Sequence, residues 1–155
     1  MKLNIPSYGE YEIKNLIFDY NGTIAKKGQV IEGLKEVIVA LCQDFNVFIV
    51  TADTYGSVRE NFKDTPVKIK IISGDHEADL KLKALFEIGP ENSISFGNGR
   101  NDVHMLKQSA IGIGIIGSEG MASSLVQSAD ILVKSIFDAV DLVNNKNSLI
   151  ATLRR

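Results

Sequence analysis

A chain of 155 residues with 45% hydrophobic side chains is long enough to bury most of one core, and its length calls for a single domain over 1–155. Its 17 basic against 19 acidic side chains and formal net charge of -2 argue against nucleic acid or an anionic membrane surface as partner. The lone Cys42 excludes an intrachain disulfide and a cysteine metal cluster, no apolar run nears the ~20 residues of a membrane span, and the N-terminus lacks a signal-type segment, so the expectation is a soluble cytoplasmic protein.

In chain order, "MKLNIPSYGEYEIKNLIFD" reads as two extended pieces around Ser7-Tyr8-Gly9, an N-terminal extension over 1–13 leading into a buried strand that ends at Asp19. "AKKGQVIEG" can turn at Gly28, giving a flap hairpin over 24–31, and Leu34, Val37, Ile38 and Leu41 then follow at helical spacing. "NVFIVTADT" is a second buried strand, "TYGSVRENFKD" a short helix and "VKIKIIS" a third strand. "HEADLKLKALFEIG" is a helix stopped by Gly89 and Pro90, "SISFGNG" a fourth strand, "NDVHMLKQS" a helix and "AIGIGIIG" a fifth strand. "SEGMASSLVQSAD" and "SIFDAVDLVNN" read as helices around the short strand "ILVKS", and the tail over 147–155 as a helix docking through Leu149, Ile150 and Leu153. Continuous apolar strands alternating with helices predict a doubly wound, Rossmann-like α/β fold: a parallel sheet covered on both faces in three layers.

Such sheets bind ligands at the carboxyl ends of their strands. Those ends carry Asp19 with Asn21, Gly22 and Thr23; Thr51; and "GNGRND" over 97–102; the helix between them carries Lys81 and Lys83. Taken singly, each has a plain structural explanation: Asp19 capping a turn, Thr51 capping a helix, a lysine on a solvated face, glycines in a turn. None of these explains why a carboxylate, a hydroxyl, an ammonium and a second carboxylate share one sheet edge, where together they suit a phosphoryl group and a divalent metal.

"DYNGT" after the first strand, the threonine after the second, a lysine on the third helix and "GNGRND" after the fourth strand resemble the four ordered motifs of the haloacid dehalogenase (HAD) superfamily, over residues 13 to about 143. Within it, the first and fourth motifs look most like the phosphorylation domain of P-type ATPases, and the chain resembles small soluble P-type ATPase-like proteins. The resemblance implies a magnesium-dependent hydrolase or phosphotransferase acting on a phosphorylated substrate through an aspartyl-phosphate at Asp19. Asn21, Thr51 and Lys81 would complete the catalytic set, with Gly22 and Ala52 joining Thr51 and Lys81 around the phosphate. Asp19, Asn21 through its backbone carbonyl, Asn98 and Asp102 would hold Mg2+. Lys81 is preferred to Lys83 because Ala78 and Leu85 share its helical face.

Two residues depart from the pattern. Asn21 stands where most of the superfamily's phosphatases have an acid–base Asp, which predicts slow turnover. Asn98 stands where a metal-binding Asp is usual, which predicts weaker magnesium binding. Asp53 is expected to cap a helix beginning near Tyr55, and His104 to pack or face solvent. These departures keep open an alternative, a catalytically weak regulatory or phosphate- or nucleotide-binding domain; a receiver-like signalling domain fits less well, because the acceptor would follow the first core strand. The segments between motifs are too short for a cap domain, so the crevice is expected to be open. Capless relatives tend to take macromolecular substrates or to oligomerise, here through the flap hairpin.

Overall fold

The computed structural model describes residues 1–53 and 56–155. β1 (Lys2–Ile5) and β2 (Gly9–Glu12) form an antiparallel hairpin in which Leu3 and Ile5 alone are buried, the alternation of a strand with one covered face. β3 (Asn15–Phe18) differs, since all four residues are buried and both faces must be covered. A second hairpin, β4 (Ala25–Lys26) and β5 (Gln29–Val30), follows, then α1 (Leu34–Leu41), β6 (Asn46–Thr51), α2 (Val58–Asn61), β7 (Lys68–Ile71) and α3 (Glu77–Ile88). The chain continues through β8 (Ser93–Gly97), α4 (Val103–Gln108), β9 (Ile111–Ile115), β10 (Ile131–Val133), α5 (Ile136–Asn144) and α6 (Lys146–Leu153).

Six strands pair in parallel in the order β10-β9-β8-β3-β6-β7. From β3 the chain steps outward to β6 and β7, returns across the sheet on α3, and steps outward the other way through β8, β9 and β10. The reversal falls between β3 and β8, the switch point at which a crevice opens at the carboxyl edge. Phe18 lies opposite Ile49 and Phe96, so Asp19, Thr51 and Gly97 emerge at that edge from three adjacent strands.

The helices divide between the faces. Ala84 and Leu85 of α3 and Met105 and Leu106 of α4 pack with Ile17 and Val50. On the other face Leu34, Ile38, Val58, Ile136, Val140, Leu149 and Leu153 pack with Leu16, Phe18 and Phe96, completing three layers. The Phe18 and Phe96 rings stack at 4.4 Å between centroids, and truncating either to Ala would cost ~3–5 kcal/mol.

The sequence expectations hold for the strands and need adjustment in two helices. "SEGMASSLVQSAD" yields a 3-10 turn over Ser123–Gln127 with Leu125 its sole buried residue, because the stretch lacks the apolar face that packs a full helix onto the sheet. α2 begins at Val58 rather than near Tyr55, which lies outside the described residues. The tail docks as expected, through Leu149 and Leu153. Between β3 and β6 lie the flap hairpin and α1, and among the described residues between β6 and β7 lies α2. No helix among the described residues is long and apolar enough to cross a membrane.

Candidate functional site

The site begins where β3 stops. The Asp19 amide donates to Phe96 O at 2.9 Å, one bond beyond the strand, and the Tyr20 carbonyl then accepts from the amides of Thr23, Ile24 and Ala25 at 3.3, 2.9 and 2.9 Å. This tight loop needs Gly22 twice over. Its φ is +83°, and a Cβ there would lie 2.4 Å from Asn98 Nδ2. The fold thus presses the loop after β3 against the loop after β8.

Asp19 is 6% exposed and both its oxygens are engaged. Lys81 Nζ donates to Oδ1 at 2.5 Å, and Thr23 Oγ1 donates to Oδ2 at 3.0 Å, with Asn98 Oδ1 its alternative acceptor at 3.4 Å. Lys81 reaches inward because it lies three and four residues before Ala84 and Leu85 on the buried face of α3, whereas Lys83 is exposed. At 1% exposure the ammonium is held by a second carboxylate, Asp102 Oδ1, at 2.6 Å. The other oxygen of Asp102 accepts from the amides of Asn98 and Gly99 at 3.1 and 2.9 Å. Gly97 lets this carboxylate come close, since a Cβ there would lie 2.4 Å from Asp102 Cγ.

The electrostatics follow from this sandwich. Burial pulls the Lys81 ammonium down, but the charges of Asp19 and Asp102 override it and the net shift is upward, so Lys81 stays protonated. Asp102 is pushed up to about 6, first by burial and then by Asp19, against the opposing pull of Lys81 and the Gly99 amide. Two carboxylates against one ammonium leave one uncompensated negative charge in a buried place.

The remaining expected residues are partly gathered. Thr51 is buried at the end of β6, and its Oγ1 accepts from the Asp53 amide at 2.9 Å. Asp53 caps α2, its Oδ1 accepting from Ser57 N and Val58 N at 3.0 and 3.2 Å. Ala52 stands half-buried between the two. Asn21 has a buried Oδ1 with no hydrogen-bond partner among the described residues. Asn98 donates through Nδ2 to Gly120 O at 3.1 Å, and His104 is exposed on α4. Asp102, expected among metal donors, has both oxygens hydrogen-bonded within the protein, as Asp19 does. Thr23 was expected only as part of the loop after the first strand; its position four residues after Asp19, behind a glycine turn, was the available signal.

No protein-family model matches the chain. Over 82 residues it is 49% identical to the uncharacterized protein MJ0073 of Methanocaldococcus jannaschii, a match covering 50% of this chain and 88% of that protein, and the two belong to one sequence family. Among solved structures, the cobalt-bound deoxy-D-mannose-octulosonate 8-phosphate phosphatase of Haemophilus influenzae superposes with a TM-score of 0.70 at 12% identity, over 87% of this chain and 89% of that one. The 3-deoxy-D-manno-octulosonate 8-phosphate phosphatase of Moraxella catarrhalis, solved with magnesium, phosphate and KDO, gives 0.69 at 14%, over 92% and 94%. An apo phosphoserine phosphatase gives 0.64 at 14%, over 86% and 98%.

Proposed function

We propose that this chain, which has the haloacid dehalogenase-like fold and shares a sequence family with the M. jannaschii protein, is a phosphatase or phosphotransferase acting through Asp19. The observation that carries this reading is the position of Asp19 at the switch point, with Lys81 on one carboxylate oxygen and Thr23 on the other. The phosphatase activities of the structural neighbours support it.

In this reading an Asp19 oxygen attacks phosphorus. The new P–O bond to Asp19 forms as the bond to the leaving oxygen breaks, and water later cleaves the aspartyl-phosphate to return the carboxylate and inorganic phosphate. Lys81 binds phosphoryl oxygens from below. The Thr51 hydroxyl, already an acceptor from the Asp53 amide, keeps its own hydrogen to donate, and main-chain amides near Gly22 and Ala52 complete the cradle. Asp102 orients Lys81 through one oxygen, and with Asp19, the Asn21 carbonyl and Asn98 it makes up the oxygen set available to a metal.

The residues fit a hard divalent cation such as Mg2+. The donors are all oxygens, the buried charges sum to one negative, and the Asn21 side-chain oxygen is buried without a partner. A bound cation would supply charge neutralisation for the phosphoryl group. Among the described residues no group of three or more His, Cys, Asp and Glu could hold a metal, so binding depends on amide oxygens and is expected to be weak.

Asn21 favours a second reading, a slow domain that binds phosphate more than it turns it over, because an amide cannot carry the proton that the leaving group needs. Magnesium-dependent hydrolysis of 4-nitrophenyl phosphate by wild type, Asp19→Ala and Asn21→Asp decides between them. The proposal requires activity in wild type, none in Asp19→Ala, and a gain of up to ~10²-fold in Asn21→Asp, the low end of a general acid's worth. Inactivity of both wild type and Asn21→Asp would leave only the binding reading.

A further inference from the structure

Beside Asp19 the crevice continues into a pocket of ≈ 560 Å³ that the chemistry above leaves unused. That volume lies within the range of small-molecule sites. Thr23, whose hydroxyl bonds Asp19, and Gly22 of the same loop line the pocket, which places this space next to the nucleophile. Val30 of the flap and Phe137 at the start of α5 supply apolar walls, and Lys26, Lys27 and Lys134 stand around them against a single acidic lining residue, Glu119. None of the three lysines has an ion-pair partner among the described residues.

The wall is also held in place. The Gly28 carbonyl at the flap turn accepts from Tyr20 Oη at 3.1 Å, Ser57 Oγ at 2.7 Å and Asn61 Nδ2 at 3.1 Å, which ties the hairpin to the body of its own chain. On the opposite side a Cβ at Gly117 would lie 3.3 Å from Gly22 O, so the floor of the pocket is closely packed. A preformed pocket with an apolar middle and three unpaired cations suits a small anionic molecule better than a macromolecular surface.

We propose that this pocket receives the leaving group of the phosphomonoester, and that the leaving group is a small molecule with an apolar body and a second anionic group, carboxylate or phosphate, held by Lys26, Lys27 and Lys134. The proposal takes the identity of the reacting group from the phosphatase reading above. Hexyl phosphate, 6-(phosphonooxy)hexanoate and hexane-1,6-diyl bisphosphate share nearly the same leaving alcohol and differ in the far end. Their kcat/KM would be measured on wild type and on the Lys26→Gln/Lys27→Gln/Lys134→Gln variant, together with calorimetric binding to both proteins.

At least one of the two doubly anionic compounds is expected to exceed hexyl phosphate by about fivefold or more, after halving the bisphosphate value for its two equivalent ends, and mainly through KM. Whichever is preferred identifies the second group. In the triple variant, whose changes fall on exposed side chains, the ratio should drop toward one at an unchanged melting temperature. Equal kcat/KM and equal binding for all three compounds, or a preference that survives the triple change, would overturn the pocket assignment while leaving the phosphatase reading intact. Selective binding that the triple variant loses, with no hydrolysis of any compound, would support the pocket and sink the phosphatase reading instead.

Discussion

The rear and the front of the crevice are built on opposite rules. At the rear, Lys81, Asp19 and Asp102 are all at most 6% exposed, and every oxygen of the two carboxylates has a donor. At the front, Lys26, Lys27 and Lys134 stand exposed, without carboxylate partners among the described residues. A group that must meet the same phosphoryl chemistry in every turnover gains from being held in one geometry before the ligand arrives. Groups that recognise a variable leaving group can remain solvated until it binds.

The sharpest way to break this comparison is to remove the cation at the rear. Lys81→Met would leave two buried carboxylates facing each other, and should cost ~3–5 kcal/mol of stability in denaturant titration and ~10²–10³ in kcat. Lys83→Met, on the exposed face of the same helix, should stay within ~0.5 kcal/mol. Equal effects would mean that the buried sandwich is not what distinguishes the rear.

Next in size is a pH effect. Asp102 is pushed from its ordinary 3.8 to about 6, so its proton favours the folded state. Its contribution is fully present below 3.8 and is lost as the pH rises through about 6. In cation-free protein, stability measured by urea unfolding should therefore fall for wild type relative to Asp102→Asn between those values. A flat difference would place Asp102 in a more solvated setting than the structure has it.

Thr23 joins rear to front, and Thr23→Val removes the hydrogen bond to Asp19 Oδ2 while keeping the shape. A loss of ~1 kcal/mol in stability and about tenfold in kcat/KM is expected, the latter as the nucleophile loses its orientation. The smallest effect belongs to the flap. Asn61→Ala removes donors to Gly28 O and Tyr20 Oη, a change of ~1 kcal/mol that amide exchange at the β4–β5 turn should report as local opening.

Much of this is legible in the order of the residues. The runs Leu16-Ile17-Phe18 and Val47-Phe48-Ile49-Val50 announce strands covered on two faces, because unbroken apolar stretches fit a sheet between helix layers. Helical phase favours Lys81 over Lys83 for the inward position, since Leu85 lies one turn along the same face, and burial of Lys81 on α3 is what separates them. Other features were hidden by their ordinariness. Thr23 reads as the end of a glycine turn, and its bond to Asp19 depends on the loop curling back through the Tyr20 carbonyl. The 3-10 turn at Ser123–Gln127 has enough apolar letters to read as a helix, and its shape is set by what it packs against.

By itself, then, the sequence determined the alternation of strand and helix and the kinds of side chain delivered to each strand end, because periodicity and turn chemistry belong to consecutive residues. Tertiary structure alone decided that the strand order reverses between β3 and β8, and that Asp102 gives one oxygen to Lys81 and the other to two amides. It also decided that the flap is tied down into the wall of a pocket. These depend on contacts between residues as far apart as Asp19 and Lys81, 62 positions along the chain, whose meeting is fixed by how helices pack on the sheet rather than by any local pattern.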